Sequence, residues 1–585
     1  MAAPWQRYEW AGSADAAGLL AAVGGGLLAN PAFLHVPGAW LGGAALTAAG
    51  ACGVTRRLMG LNRNRVFTSA VDIESHTSGL DADLRKDWPG VLLGYTVDTG
   101  KPLVIPWADW MGHTLIVGAT GMGKTVLQEW LLFQQIVRGG GVVSIDGKID
   151  VDNLEMLHRM AAYASREADL LVINPDDPDA SNTYSPMLFG DADEIASRVL
   201  ALIPSAETNP GADHYRQAAN RSITTIVDTI RASKRAYTFL DLSILLQDED
   251  ALMYLDSLVP ENSNEKGMFR LFLKGFLSSK GGDTHLDMNK VRELLGGAGG
   301  RLFQFAEGNF GKLTNTYTPD VNIFNAMTSN KIVYIALPTM GKAEAASNFG
   351  KMTVGDFRSA VAKIQHLPKS QRPWPPTLDS FDEAGSYMTQ AWDRIFEQAR
   401  SARQALVPAV QTYGNLEALG LPLREMIVGN TVSKVFFRIA TGDTAKKVAD
   451  LIGKEYVSMR GLSSGDSGGE SAEAAVGSKL NVSRSGSAGH SDSYQERYRV
   501  PQEDLLALGR GSAVVVTNGN RVYHIKIPML RFSKAFEQSV GPFHVNRLYH
   551  PHVRGLRLFD QFGRSAVSLT SNGDDKQKSS RGRGA

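Results

Sequence analysis

Between His113 and Thr125 the chain reads His-Thr-Leu-Ile-Val-Gly-Ala-Thr-Gly-Met-Gly-Lys-Thr, and this stretch restricts the fold more than any other. Thr114–Val117 is a short apolar, β-branched run, which predicts a buried strand. Gly118, Ala119, Thr120, Gly121, Met122, Gly123, Lys124 and Thr125 then fit G-x-x-x-x-G-K-[ST], the phosphate-binding P-loop. Val126–Val137 follows with apolar residues at helical spacing. The chemistry needs this order. Glycines let consecutive backbone N–H groups curl around a phosphate. Lys124 reaches the β- and γ-phosphates, the Thr125 hydroxyl ligates Mg²⁺, and the start of the helix adds a positive dipole end. A Gly-rich turn would explain the glycines, but not a strand before them and a helix after. The stretch therefore predicts a nucleoside triphosphate–Mg²⁺ site.

The 585 residues leave room for three or four domains. With 21% charged and 43% apolar residues, the composition is that of a globular protein. A net charge of +1 gives no overall basic excess, so any nucleic-acid contact must come from a local surface or a pore. The single cysteine, Cys52, excludes an intrachain disulfide and a Cys-based zinc site. No metal cluster or nucleophile elbow stands out. The 12 histidines are scattered and, His113 included, read as structural.

Residues 1–60 predict a transmembrane hairpin. Ala16–Leu28 and Ala32–Val54 are apolar, contain no acid or base, and are broken by Asn30-Pro31. Arg56, Arg57, Arg63 and Arg65 follow, a basic flank that would hold the rest of the chain in the cytoplasm. A pair of buried Ala/Gly helices is the alternative. Residues 61–190 form the first part of a nucleotide-binding domain. Strands are predicted over Val91–Tyr95, Pro102–Ile105, Val142–Ile145 and Leu170–Ile173, with a helix over Leu154–Ala164. This alternation argues for a parallel sheet. Asp146-Gly147-Lys148 ends a strand, at the edge where open α/β sheets bind ligands. Asp146 and Lys148 thus face the phosphates or form a solvated turn. Residues 191–325 are dominated by helical runs and predict an all-α insertion.

The sheet resumes in residues 326–545. Lys331–Leu337 and Thr377–Phe381 predict strands, the second ending in Asp382-Glu383. An apolar strand closed by Asp-Glu is the partner of a P-loop: the Asp orders Mg²⁺ and the Glu polarises the attacking water. Asp379 and Ser380 interrupt this strand. Ala405–Val410 predicts the next strand, with Pro408 pushing it towards a bulge or an edge. Gln411 at its end could sense the γ-phosphate, and an Arg near an oligomer face could reach a neighbouring site; a capped strand and solvated arginines fit the same residues. Gly461–Ser493 reads as a flexible loop. Residues 546–585 are a polar extension with a low-complexity, disordered tail.

The order of these parts resembles the coupling proteins of type IV secretion, the conjugative TraD/TraG type of membrane-anchored ATPase, related to the FtsK and HerA DNA translocases. The resemblance rests on the apolar hairpin before Arg56, HTLIVGATGMGKT (113–125), SIDGKID (144–150), the all-α insertion, KIVYIALP (331–338), SFDEAGSY (380–387), ARSARQALVPAVQ (399–411) and GNTVSKVFFRIATGDTAKKVADLIG (429–453). It implies a RecA-like α/β P-loop domain with an inserted all-α domain. It implies six subunits in a ring with ATP sites between them, Arg400 as an arginine finger and Gln411 as a sensor. The family setting would be the bacterial inner membrane, with the ATPase in the cytoplasm. The implied cargo is a relaxase with its attached DNA, single- or double-stranded, or secreted proteins, passed to the channel components. The alternatives are an FtsK/HerA-like translocase not tied to secretion, and a recruitment platform that binds ATP without turning it over. The family often has Asp-Pro-Lys-Gly where this chain has Asp146-Gly147-Lys148-Ile149.

Overall fold

The computed structural model describes residues 14–29, 41–51, 90–203, 212–280, 283–339, 341–388, 392–418, 420–467, 485–517, 521–547 and 558. The strands, in chain order, are β1 (Gly90–Thr96), β2 (Pro102–Pro106), β3 (Thr114–Val117), β4 (Val142–Asp146), β5 (Leu170–Ile173), β6 (Leu277–Lys280), β7 (Asp283–Leu286), β8 (Ile332–Ala336), β9 (Thr377–Phe381), β10 (Gln404–Val410), β11 (Ser433–Phe436), β12 (Lys454–Ser467), β13 (Ser485–Tyr498), β14 (Ser512–Thr517) and β15 (Arg521–Lys526). Eleven of them make one sheet in the order β2-β1-β15-β14-β11-β3-β10-β9-β4-β8-β5. From β11 to β5 every pairing is parallel, and β14, β15, β1 and β2 extend it antiparallel. The strand after Asp382-Glu383, β10, lies between the P-loop strand β3 and β9. All ligand-facing ends of the parallel strands therefore open on one edge.

The central strands are apolar on both faces because both faces are covered. Ile116, Val142, Val172 and Leu378 pack with Leu127, Trp130 and Phe133 of the helix Lys124–Val137 on one side. Leu115, Val117, Val143 and Phe381 pack on the other with Phe349 and Phe357 of the helix Ala343–His366 and with the inserted helices. Trp130 is fully buried and donates its indole N–H to Leu92 O at 2.7 Å. Gln134 both donates to and accepts from Leu92. These bonds tie the helix to β1 at Leu92, next to the point where β1 and β2 slip register between Leu92 and Gly94. Burying a side chain of this size contributes about 3 kcal/mol, so the P-loop helix is locked to the sheet extension by packing and polar contacts together.

The insertion departs from the all-α expectation. Its helices, from Ala192–Leu200 to Ile323–Thr328, are joined by a short antiparallel pair, β6 and β7, in a polar stretch that carries no apolar alternation. The Gly/Ser-rich stretch is not a loop throughout: β12 and β13 pair from Lys454↔Tyr498 to Ser467↔Ser485. Its residues have low strand propensity, and the backbone ladder supplies what composition does not signal.

Pro408 sits in a central strand, not at an edge. Leu406 N–H donates to the His113 ring and Val410 O accepts from Gly118 N–H, so residues 406, 408 and 410 turn their polar groups to β3. The N–H that proline lacks falls on that side, where the registered ladder is limited to Ala409↔Ile116 and Val410↔Val117.

The segment that follows β15 is anchored by its aromatic residues. Phe532 packs on Phe133 and Tyr163, and Phe543 on His158. Asn546 then reaches the edge strand, donating to Leu170 O at 3.2 Å and accepting from Asn182 at 2.6 Å.

At the N-terminus, the helix Ala14–Ala29 has 16 residues and residues 41–51 form a second helix. Gly24 and Gly43 lie where they meet: a Cβ on Gly24 would come within 2.5 Å of Thr47 N. A helix of this length spans about 24 Å, less than the roughly 30 Å of a bilayer core. No helix among the described residues is long and apolar enough to cross a membrane, and residues 30–40 and 52–54 of the expected hairpin lie outside the described residues. Arg56, Arg57, Arg63, Arg65 and the tail from Ser568 lie outside the described residues.

Candidate functional site

Strand β3 ends at Val117, and the loop Gly118–Gly123 leads into the helix Lys124–Val137. Gly123 caps that helix at φ +116°, and Gly121 has φ +73°, a region that side chains strain to enter. Gly118 is required for space, since a Cβ there would stand 2.5 Å from Phe437 Cβ. The loop is formed around Lys124, whose ammonium donates to Gly118 O at 2.7 Å and to Ala119 O at 3.4 Å. Burial and the Lys148 charge lower its pKa, while Asp382 and Glu383 raise it.

Asp382 and Glu383 follow β9 at the same sheet edge. Burial raises the Asp382 carboxyl above the usual range; Lys148 opposes this, and Asp146 and Glu383 add to it. Thr125, Asp382, Asp146, Ser144 and Glu129 line a cavity of about 40 Å³ between the P-loop helix and β9. A hydroxyl and a half-buried carboxylate with too little positive charge nearby suit a hydrated divalent cation. Thr125 and Asp382 therefore fit Mg²⁺, and Gly118–Thr125 fit the phosphates of ATP.

The two polar interruptions of β9 have separate explanations. Ser380 faces the P-loop helix and accepts from Gln128 at 3.2 Å. Asp379 faces the other side, fully buried, with neither carboxyl oxygen hydrogen-bonded among the described residues. Burial drives its pKa far up, so it sits in the core as a neutral acid.

Gln411, at the end of β10, donates to Glu383 Oε1. Lys148 Nζ lies 2.6 Å from the same oxygen. The Asp146–Lys148 turn thus belongs to the site and is not a free solvated turn. Asp146 is buried and accepts from Asn153 and Tyr334, each at 2.8 Å. Tyr334 lies 188 residues away in sequence, beyond the reach of any local pattern. Glu129, one helical turn past Thr125, also carried no sequence signal; burial pushes its carboxyl up to about 7, with Asp150 adding to the shift.

Arg400 is exposed in the turn Ala399–Ala402, before β10. The seven residues of β10 separate it from Gln411, about 20 Å along an extended strand. The fold therefore gathers Lys124, Thr125, Asp382, Glu383 and Gln411, and leaves Arg400 at the opposite sheet edge.

His113 precedes β3 at φ +66°. Its Nδ1 accepts from Leu406 N–H at 3.2 Å, so the proton is on Nε2, which donates to Phe396 O at 3.1 Å. The ring ties the P-loop strand both to β10 and to the segment ahead of Arg400. Burial pulls its pKa from 6.5 down to about 4. Between these values the unfolded chain binds the proton and the folded one does not, so stability falls as pH drops from 6.5 towards 4. The expected loss between pH 7 and pH 5 is about 2 kcal/mol, read from denaturant midpoints and missing in His113→Asn. An equal pH slope in that variant would remove His113 from the account.

Residues 376–510 match the family model described as the TraM recognition site of TraD and TraG, a range that takes in β9, Arg400 and Gln411. The type 4 coupling protein DotL of Legionella pneumophila (strain Philadelphia 1) is 23% identical over 394 residues, 58% of this chain and 49% of that protein. The match thus spans about half the length of this curated relative. The bacterial conjugative coupling protein TrwBdeltaN70, in its unbound monoclinic form, has a TM-score of 0.54 at 16% identity, over 80% of this chain and 95% of that one. TrwB in complex with the ATP analogue ADPNP has a TM-score of 0.48 at 16% identity, over 80% and 94%.

Proposed function

We propose that this chain, which is similar to type IV coupling proteins in local sequence and has a TrwB-like α/β P-loop fold with a large parallel sheet, is the coupling ATPase of a type IV secretion or conjugation system. It hydrolyses ATP to recruit a relaxase–DNA complex or a protein substrate and pass it to the secretion channel. The observation that carries this reading is the site itself. Lys124 and Thr125 stand on the helix after β3, and Asp382, Glu383 and Gln411 converge on the same edge.

Lys124 and the Gly118–Gly123 amides bind the phosphates, and Thr125 and Asp382 hold Mg²⁺, which when bound neutralises charge on the transferring phosphoryl group. Glu383 takes the proton of the attacking water. Arg400, exposed and about 20 Å from its own Gln411, serves the site of the next subunit in a homo-hexameric ring. The region 376–510 is where an accessory protein of the TraM kind would dock. Residues 16–54, with no Asp, Glu, Lys or Arg, and the arginines that follow hold the ring to inner-membrane lipid, with the ATPase in the cytoplasm.

The test is plasmid mobilisation from cells with and without this protein, with secreted proteins scored in parallel. Transfer lost without the protein, restored by the wild-type chain and not by Glu383→Gln, is the expected result. Full transfer by Glu383→Gln would point instead to a platform that only binds ATP. Transfer unaffected by removing the protein would point to a translocase outside secretion.

A further inference from the structure

Strand β4 ends at Asp146, and the turn that follows is held from several sides. The Asp146 carboxylate accepts from Lys148 N–H at 2.8 Å, from Asn153 at 2.8 Å and from Tyr334 of β8 at 2.8 Å. The Thr339 hydroxyl donates to Gly147 O. The turn is pressed against the end of β9: a Cβ on Gly147 would stand 3.0 Å from Glu383 Cβ and 3.3 Å from Asp382 O. Glycine at 147 is what permits this approach. The result is a fixed platform that projects Lys148 towards Glu383.

Two donors then meet one oxygen. Lys148 Nζ lies 2.6 Å from Glu383 Oε1, and Gln411 donates to that same atom. Among the described residues no hydrogen bond goes to Glu383 Oε2. Glu383 itself holds φ +49°, a backbone conformation that persists when its surroundings fix it. The Lys148 charge also lowers the pKa of Lys124.

We propose that Lys148 is a positioning residue for the catalytic carboxylate. With Gln411 it fixes Oε1 of Glu383, and so presents Oε2 to the attacking water. Lys148 touches neither substrate nor metal in this role and acts through Glu383. The inference rests on the ATPase reading above.

The experiment uses the full chain and measures MgATP hydrolysis in single turnover, where slow variants stay measurable, together with affinity for a fluorescent ADP. Lys148→Met should slow hydrolysis by about ten- to a hundredfold, the range in which misplacing a reacting group is felt. Its ADP affinity should stay within about twofold of wild type, because a positioning role leaves phosphate binding alone. Lys148→Arg should recover most of the rate, since an arginine can still donate to Oε1. In a Glu383→Gln background, Lys148→Met should add no further loss, as expected for two residues acting as one unit. The proposal is overturned if Lys148→Met matches wild type or turns over faster. A loss of equal size in the Glu383→Gln background overturns it too, as does a loss confined to ADP affinity. A wild-type chain no faster than Lys124→Ala would overturn the ATPase reading itself, and the proposal with it.

Discussion

Replacing Lys124 with alanine is expected to lower MgATP turnover by at least about a hundredfold, the usual effect of removing one charge-stabilising donor from a preformed site. The geometry says why the loss should be large. The Lys124 ammonium donates to Gly118 O and Ala119 O, so the loop is shaped around it. Its side chain is buried, and no other cation in the loop takes its place. Lys148, whose charge acts on Lys124, is bound to Glu383. The change should leave the thermal melt close to that of wild type, because the helix Lys124–Val137 is anchored further along by Trp130 and Gln134. Turnover within about threefold of wild type would mean that this loop is not where ATP is hydrolysed.

The second large effect is expected at Arg400. Arg400→Ala should cut turnover by about a thousandfold, the scale of a transferred arginine finger, although the residue is exposed and far from its own P-loop. The two variants separate a contribution in trans from a local one. Neither Lys124→Ala nor Arg400→Ala should be active alone. In a ring with head-to-tail interfaces, mixing them in equal amounts places an intact Lys124 beside an intact Arg400 at roughly a quarter of the interfaces. The mixture should therefore regain activity that neither parent has. A mixture no more active than its parts would remove Arg400 from the neighbour's site.

How much of this was legible in the sequence follows from the range of the interactions. Thr114–Val117 and Thr377–Phe381 are strands over the same residues that apolar patterning indicates, because a buried parallel strand is recognisable from its own residues. The P-loop and Asp382-Glu383 were legible for a related reason: each is a compact pattern beside a predicted element. What was not legible depends on partners far along the chain. Lys148 pairs with Glu383 and His113 with Leu406 and Phe396, and nothing within a few residues of either member marks the pair. Pro408 misled for the opposite reason. Its local rule is sound, but the registered ladder between β10 and β3 covers only Ala409 and Val410, so the missing N–H breaks no ladder pairing. The β12–β13 ladder was hidden because Gly and Ser give no sign of pairing that comes from the backbone alone.

The segment after β15 has a consequence for the solubility of shortened forms. The strand β5 ends the sheet, and an open sheet edge invites another chain to add to it. Here that side is taken up within the molecule: Asn182 bonds both ways with Val172, and Asn546 bonds Leu170. The same segment shields Phe133 and Tyr163 with Phe532 and Phe536. A form cut before residue 530 would present an under-protected strand and an aromatic surface side by side. That pairing favours precipitation without any change in the nucleotide site, so loss of activity on trimming this end would report on aggregation before it reported on chemistry.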